Sequence, residues 1–361
     1  MKRLTTILSL ATALLTGCSE GPFIGTEQPD GGYAALALTY TIPDGTVPTR
    51  AGYMESTARE SAVNDLYLLF FETDTHGNGA YVARAGATLE DATIKKNTVS
   101  FTLPGNVQAD KDYEVLVVAN LIKYSGDNTS AAESYLDDLV AGKTYGQACA
   151  ELQVPLPVTA GFYDIPGGYL PMSGRTLKRA NHPELNVDLL RACVRIDLKL
   201  NSLLAGTVTI REAQLRNIAP VAPLFRTQEE ISLPRVASAL LTVNGNAVTG
   251  GLYAMETSMD VNDPGTLLND AACLLVNLTS TSVHTGPNTA KTWYRINLNV
   301  NSHGMQYLKR NNTYTVVIDN VLASGEESPE EAYQSKTVLI NEVVITGWED
   351  SGVVPPDVEI S

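Results

Sequence analysis

Apolar and polar residues alternate along several short stretches of this chain, the pattern of β-strands with one buried face. In the first stretch, Leu36, Leu38, Tyr40 and Ile42 fall on one face, and Pro43 follows directly. In a later stretch the same spacing separates Val194, Ile196, Leu198 and Leu200 from Arg195, Asp197 and Lys199. Further strands are predicted at residues 63–71, 98–103, 113–119, 207–215, 240–248, 272–278, 293–300, 314–318 and 337–345.

One stretch has the pattern of an α-helix. Ser130 and Glu133 are spaced as a capping box, the helix-compatible sequence continues to Val140, and Gly142 is a natural helix end. Residues 152–175 and 324–335 are predicted loops. Short strands separated by turns predict a mainly β fold with a few short helices. A chain of 361 residues is long enough for two β-sandwich-like domains in tandem.

The N-terminal residues have the composition of an export signal. Lys2 and Arg3 precede an apolar run at residues 4–15, which is too short for a permanent transmembrane helix. The run ends in Leu15-Thr16-Gly17-Cys18, which resembles the lipobox of bacterial lipoproteins. We therefore expect a signal peptide at residues 1–17, lipidation of Cys18 by acyl groups such as palmitate, and a flexible tether at residues 19–32.

Charge and cysteine content narrow the possible partners. The formal net charge of −15 argues against nucleic acid and against anionic lipid surfaces, which attract basic patches. Besides Cys18, the chain contains Cys149, Cys193 and Cys273, none of them in a CxxC pair. Their surroundings favour buried hydrophobic residues over a zinc site; one disulfide is compatible with the sequence, and its pairing stays open.

Motifs for catalysis or cofactor binding are absent from the sequence. It contains no G-x-S-x-G and no G-x-x-x-x-G-K-[ST] segment, and none of its four His lies at i, i+4 from another His or from a Cys. Glu326, Glu327, Glu330 and Glu331 cluster within a predicted loop, where a solvated surface is the expected role. The sequence therefore predicts a protein that is not an enzyme, with no catalytic residues, no cofactor and no metal.

The order of these elements resembles the fimbrillins, the type V pilin subunits of Gram-negative anaerobes, over nearly the whole chain. Tyr113-Glu114-Val115-Leu116-Val117-Val118-Ala119-Asn120 is similar to one of their strands, and Leu170-Pro171-Met172-Ser173-Gly174 resembles a loop near the end of their first domain. Cys193 departs from the small Ala or Val that is more usual there. The remaining resemblance lies at Cys18 and at residues 34–42, 64–71, 191–196, 208–217, 312–318 and Trp348.

The resemblance implies a domain plan and a fate for the N-terminal strand. Residues 18–50 would comprise the tether and a removable strand, residues 51–180 a transthyretin-like N-terminal domain, and residues 181–361 a C-terminal domain with a donor segment. A lipidated precursor in the outer membrane would be cut by an arginine-specific protease, between Arg50 and Ala51 or, as the fallback, after Arg59. The released strand would leave a groove for a strand of a neighbouring subunit.

The resemblance also implies the polymerising residues and the setting. Leu36, Leu38, Tyr40 and Ile42 would be in the removable strand, and Val338, Ile340, Val353 and Val354 in the donor. The partners would be other copies of the chain or related pilin subunits, and the product a surface fimbria (pilus) that supports cell adhesion. Two alternatives stay open: a lipid-anchored tip or anchor adhesin of the same fold, and a surface glycan-binding lipoprotein. For the segment 337–345, completing its own sheet is as compatible with the sequence as acting as a donor.

Overall fold

The structure is a computed structural model of the 361-residue chain. It describes residues 35–43, 58–74, 78–92, 95–155, 158–159, 162–163, 169–225, 236–256, 272–280, 291–298, 308, 310–321, 324–335 and 340–347. The strands up to residue 191 are β1 (Ala35–Thr41), β2 (Val63–Glu72), β3 (Tyr81–Ala92), β4 (Lys96–Thr102), β5 (Tyr113–Ala119), β6 (Gln153–Pro155), β7 (Val158–Thr159), β8 (Phe162–Tyr163), β9 (Met172–Lys178), β10 (Glu184–Asp188) and β11 (Leu190–Arg191). The later strands are β12 (Cys193–Leu200), β13 (Val208–Arg216), β14 (Val221–Pro223), β15 (Ala237–Ser238), β16 (Leu241–Gly245), β17 (Ala247–Met255), β18 (Cys273–Ser280), β19 (Trp293–Asn297), β20 (Asn312–Asn320) and β21 (Ile340–Gly347). The helices are a 3-10 turn (Ala58–Ser61), α1 (Leu121–Tyr124), α2 (Thr129–Val140), α3 (Tyr145–Glu151) and α4 (Pro329–Gln334).

The first half of the chain is built on two sheets of different character. A three-stranded sheet has the order β10-β1-β4, and a five-stranded sheet has the order β11-β9-β5-β2-β3. Buried and exposed residues alternate along β4 and β10, so one face of the small sheet is apolar and the other meets solvent. β2 and β5 are buried on both faces. The five-stranded sheet is therefore covered on its second face as well, where Leu136 and Val140 of α2 are fully buried.

The second half of the chain is also built mainly on two β-sheets. One four-stranded sheet has the order β17-β12-β20-β21 and another the order β16-β13-β18-β19. Two small sheets, β14-β6 and β15-β8-β7, each pair a strand of the first half with one of the second. The prediction of a mainly β fold with few short helices is confirmed.

The division into two tandem domains stays a prediction, and the sheet pairing bears on where its boundary would lie. β10 pairs with β1, and β11 pairs with β9, so both strands belong to sheets of the first half. β12 begins at Cys193 and, among the described strands, pairs with β17 and β20. These pairings favour a boundary near residue 192 over one at residue 180.

Three local expectations need correction. The helix at residues 130–140 begins earlier, because the side chain of Asn128 accepts a hydrogen bond from the backbone N–H of Ala131 and caps it. The capping box lies instead at Thr144 and Gln147, at the start of α3. The predicted loop at residues 324–335 contains α4, whose Tyr333 ring lies 5.6 Å from the guanidinium of Arg216 and 5.3 Å from that of Arg295.

The cysteines agree with the sequence analysis. Cys149, Cys193 and Cys273 are buried and free, as expected of small hydrophobic residues. No helix among the described ranges is long and apolar enough to cross a membrane.

Candidate functional site

The first strand that the structure describes, β1, lies in a groove between two strands that come much later in the chain. β1 pairs antiparallel with β4, with Leu38 opposite Val99, and parallel with β10, with Leu38 opposite Leu185. β1 is thus the central strand of its sheet, and both of its edges are hydrogen-bonded. We call the space bounded by residues 96–102 of β4 and 184–188 of β10 the β1 groove.

The side chains of β1 divide into a face of large buried residues and a face of smaller, mostly half-buried residues, of which only Ala37 is buried. Leu36, Leu38, Tyr40 and Ile42 are at most 1% exposed and belong to the main hydrophobic core. On the other face, the hydroxyl oxygens of Thr39 and Thr98 lie 2.8 Å apart. The apolar face of β1 therefore supplies part of the core of the first half.

Tyr40 places a polar atom in this apolar groove. Its hydroxyl is buried, and none of the described residues meets it in good hydrogen-bonding geometry. Burial raises the pKa of Tyr40, and the neighbouring side chain of Asn97 only partly offsets the effect. A buried hydroxyl without a good partner costs free energy of about 1–3 kcal/mol.

One wall of the groove depends on a glycine. Gly174 of β9 faces the backbone of β10, and a Cβ atom added there would clash with the carbonyl of Asp188 and the side chain of Val187. The missing side chain lets the five-stranded sheet approach the strand that pairs with β1. Gly174 ends the segment Leu170-Pro171-Met172-Ser173-Gly174, which the sequence analysis singled out only by resemblance.

A buried arginine forms hydrogen bonds to residues on both sides of the segment that follows β1. The guanidinium of Arg191 donates to the carbonyl of Pro43 at 3.3 Å, to the carbonyl of Glu60 at 2.9 Å and to the hydroxyl of Ser61 at 3.0 Å. Arg191 itself is fully buried. The chain between these contacts, residues 44–57, lies outside the described residues; we call it the connecting segment.

A second buried cluster fixes the end of the 3-10 turn. Both carboxylate oxygens of Glu60 lie 3.1 Å from Nη1 of Arg195, whose Nε donates to Asp197 at 2.8 Å. The hydroxyl of Tyr253 donates to Glu60 at 2.7 Å. Burial raises the pKa of Tyr253, and the charge of Glu60 raises it further. The cluster ties the start of the first half to β12 and β17 of the second.

The remaining predicted residues divide between the described and the undescribed parts of the chain. Arg59 lies in the 3-10 turn, directly before the buried Glu60. Ile340 begins β21, an edge strand that pairs antiparallel with β20. Cys18, Arg50, Ala51, Val338, Val353 and Val354 lie outside the described residues.

Sequence reasoning missed the buried polar residues around the groove. Arg195 and Asp197 fall on the polar side of an alternating strand, yet both are fully buried because Glu60 of the first half pairs with Arg195. Arg191 lies at the start of the resembling segment 191–196, and that segment assigns it no role. No local pattern reveals these roles, since Glu60 lies more than a hundred residues before both Arg191 and Arg195 in the chain.

No protein-family model matches this chain, and no curated protein matches it. Among solved structures, the C-terminally truncated tip fimbrial protein Mfa3 from Porphyromonas gingivalis is 14% identical, covers 87% of this chain and 100% of its own, and has a TM-score of 0.54. A candidate cell adhesion protein from Parabacteroides distasonis is also 14% identical, with 88% and 98% covered and a TM-score of 0.53. The chain shares its fold with these proteins, which confirms the fold that the fimbrillin resemblance implied.

Proposed function

We propose that this chain is a structural subunit of a bacterial surface fimbria, exported as a lipoprotein precursor and polymerised by strand exchange. The observation that carries the proposal is the position of β1, an N-terminal strand seated between β4 and β10. Its loss would leave unpaired backbone groups along both walls of the groove. Such edges bind an extended strand, with main-chain hydrogen bonds for affinity and alternate side chains for specificity.

The buried face of β1 gives an estimate of the free energy with which a strand of a neighbouring subunit would bind in the groove. Four large side chains are withdrawn from water there. Full burial of an apolar side chain is worth about 1.5–3 kcal/mol, so an incoming strand with the same pattern gains roughly 4.5–9 kcal/mol from the three aliphatic positions, and the buried hydroxyl reduces the gain from Tyr40. The main-chain hydrogen bonds along both walls of the groove add to this gain, and the cost of association and of ordering the strand opposes it.

Processing after Arg50 is favoured over processing after Arg59. A protease needs several residues around the cut bond in an extended and accessible form. The bond after Arg59 lies inside a 3-10 turn, and the next residue, Glu60, is fully buried with its carboxylate on Arg195. Arg50 belongs to the connecting segment, whose sequence is polar and rich in turn-forming residues, where proteolysis is easiest.

The donor strand is proposed to come from the C-terminal residues of a neighbouring subunit. β21 already pairs with β20 along residues 340–347, so using it as the donor would expose that edge of the second half. α4, packed against β18 and β19, limits how far the chain before β21 can move. Residues after 347, which contain Val353 and Val354, are therefore the preferred donor, and Val338 and Ile340 the second choice.

The decisive experiment is N-terminal sequencing of the chain recovered from the assembled surface fraction. Cleavage after Arg50 gives Ala51 as the first residue, whereas cleavage after Arg59 gives Glu60. Arg50→Ala should keep the protein lipid-bound and stop fibre growth, and Arg59→Ala, the matched control, should leave both unchanged. A fibre built from chains that still begin at Cys18 would contradict the proposal.

A further inference from the structure

At one end of the β1 groove, the backbone hydrogen bonds between β1 and β10 stop. A side chain provides the hydrogen-bond donor at this position. Along the parallel pairing of β1 with β10, the backbone N–H of Leu189 donates to the carbonyl of Thr41 at 2.8 Å. The next carbonyl on the same edge of the strand belongs to Pro43, and the next donor in a regular ladder would be the backbone N–H of Arg191.

That backbone donor is used elsewhere. The N–H of Arg191 points to Oδ1 of Asn311 at 3.3 Å, and Asn311 is held in a left-handed conformation with φ of 58°. The carbonyl of Pro43 is bound instead by Nη1 of the Arg191 side chain. A charged, planar guanidinium has therefore taken the place of one rung of the ladder.

The position of this guanidinium is fixed by contacts that do not involve β1. Nε donates to the carbonyl of Glu60 and Nη2 to the hydroxyl of Ser61, both beyond the connecting segment. These contacts remain when residues 35–43 leave. The groove thus keeps a preorganised donor at the position of the Pro43 carbonyl after β1 has gone.

We propose that Arg191 is a register-determining residue of the β1 groove, which binds one backbone carbonyl of the strand that replaces β1. The inference rests on the proposed strand exchange and deepens it. A strand that slips by one residue turns its apolar side chains to the wrong face. A hydrogen bond at a fixed end position selects the correct register, because the carbonyls on that edge of the strand recur only at every second residue.

The test uses the full chain with a site-specific protease sequence inserted into the connecting segment. After cleavage, the fragment that contains β1 is held only by the groove. Three labelled peptides, each acetylated and amidated, then compete with it: residues 35–43, residues 35–42, which lack the Pro43 carbonyl, and residues 36–43. The last is the control, equal in length to 35–42 but shortened at the other end.

We expect peptide 35–42 to need at least about tenfold more than 35–43 to displace half of the fragment, the loss typical of a hydrogen bond to a charged donor. The control 36–43 should lose less than about threefold. In the Arg191→Met chain, 35–43 and 35–42 should become equivalent, an effect that a merely structural role of Arg191 would not produce.

The outcomes separate this inference from the proposed function. If both peptides displace the fragment equally well from the wild-type chain, the groove binds strands but Arg191 does not set their register, and the inference is wrong. The wild-type comparison decides this even if Arg191→Met fails to fold. If peptides 35–43 and 35–42 both fail to displace the fragment, the cut chain is partly unfolded and refolded in the presence of each peptide. Failure under these conditions as well contradicts strand exchange at this groove.

Discussion

Replacing Leu38 by Ala should loosen β1 from its groove more than any change on the outer face of the strand. Leu38 is fully buried at the centre of β1, between Val99 and Leu185 of the flanking strands. Truncation of a buried Leu costs about 2–5 kcal/mol, since the transfer free energy is lost and a cavity remains. For a fragment held without a covalent link, this corresponds to a roughly 30- to 4,000-fold weaker dissociation constant.

The measurement is the rate at which the β1 fragment leaves the chain after cleavage within the connecting segment, followed by size-exclusion chromatography or a fluorescent label. Thr39→Ala is the matched control, because Thr39 is the next residue, is half-buried and has only the Thr98 hydroxyl as its described hydrogen-bond partner. It should change the rate by less than about tenfold. Equal retention of the Leu38→Ala and wild-type fragments would refute the view that this apolar face holds the strand.

Four further changes test other parts of the argument. Tyr40→Phe should leave the stability of the cut chain unchanged or raise it by about 1 kcal/mol, because the hydroxyl has no good partner among the described residues; a loss above that, in urea unfolding, would contradict this. Glu60→Gln should destabilise the chain by about 3–5 kcal/mol by leaving Arg195 poorly compensated, and the triple change Glu60→Leu, Arg195→Met and Asp197→Leu should recover most of the loss; a triple variant no more stable than the single one would count against this. Cys18→Ala should abolish acylation and membrane partitioning in detergent; an acylated variant would rule the lipobox out. Deletion of residues 353–361 should give a folded, processed monomer that cannot polymerise; full-length fibres from it would exclude this segment as the donor.

The strands that the sequence predicted best are those whose burial follows from local pattern alone. β1 and β5 lie within one or two residues of their predicted bounds, because alternation or a continuous apolar run leaves little choice of face. β3 was missed. Its centre contains Ala83, Ala85, Gly86 and Ala87, residues of low strand propensity, and a Cβ at Gly86 would clash with the ring of Tyr67, its partner on β2. Pairing with β2, and not intrinsic preference, makes this segment a strand.

The candidate site was predictable only in part. The apolar face of β1 can be identified from four residues. The sequence does not show which strands flank β1, because its pairing with β4 and β10 depends on the overall fold. Arg195 and Asp197 illustrate the difficulty. In sequence they are the polar side of an amphipathic strand, whereas in the structure both are buried and Arg195 forms an ion pair with Glu60 of the first half. A buried ion pair between distant segments carries no local signal, so the cluster of Glu60, Arg195 and Asp197 could not be foreseen.

The parallel pairing of β1 with β10 also has a consequence for the order in which the chain folds. β1 is synthesised first, yet its partners are residues 96–102 and 184–188, so its contacts are among the most distant in sequence within the first half. Contacts of this kind form late, because the loops they close must be ordered beforehand. A chain that ends before residue 184 lacks β10 and provides β1 with β4 alone as a partner in this sheet. β1 can therefore complete its pairing only after the chain has been synthesised through β10. It does so while it is still covalently attached to the rest of the chain.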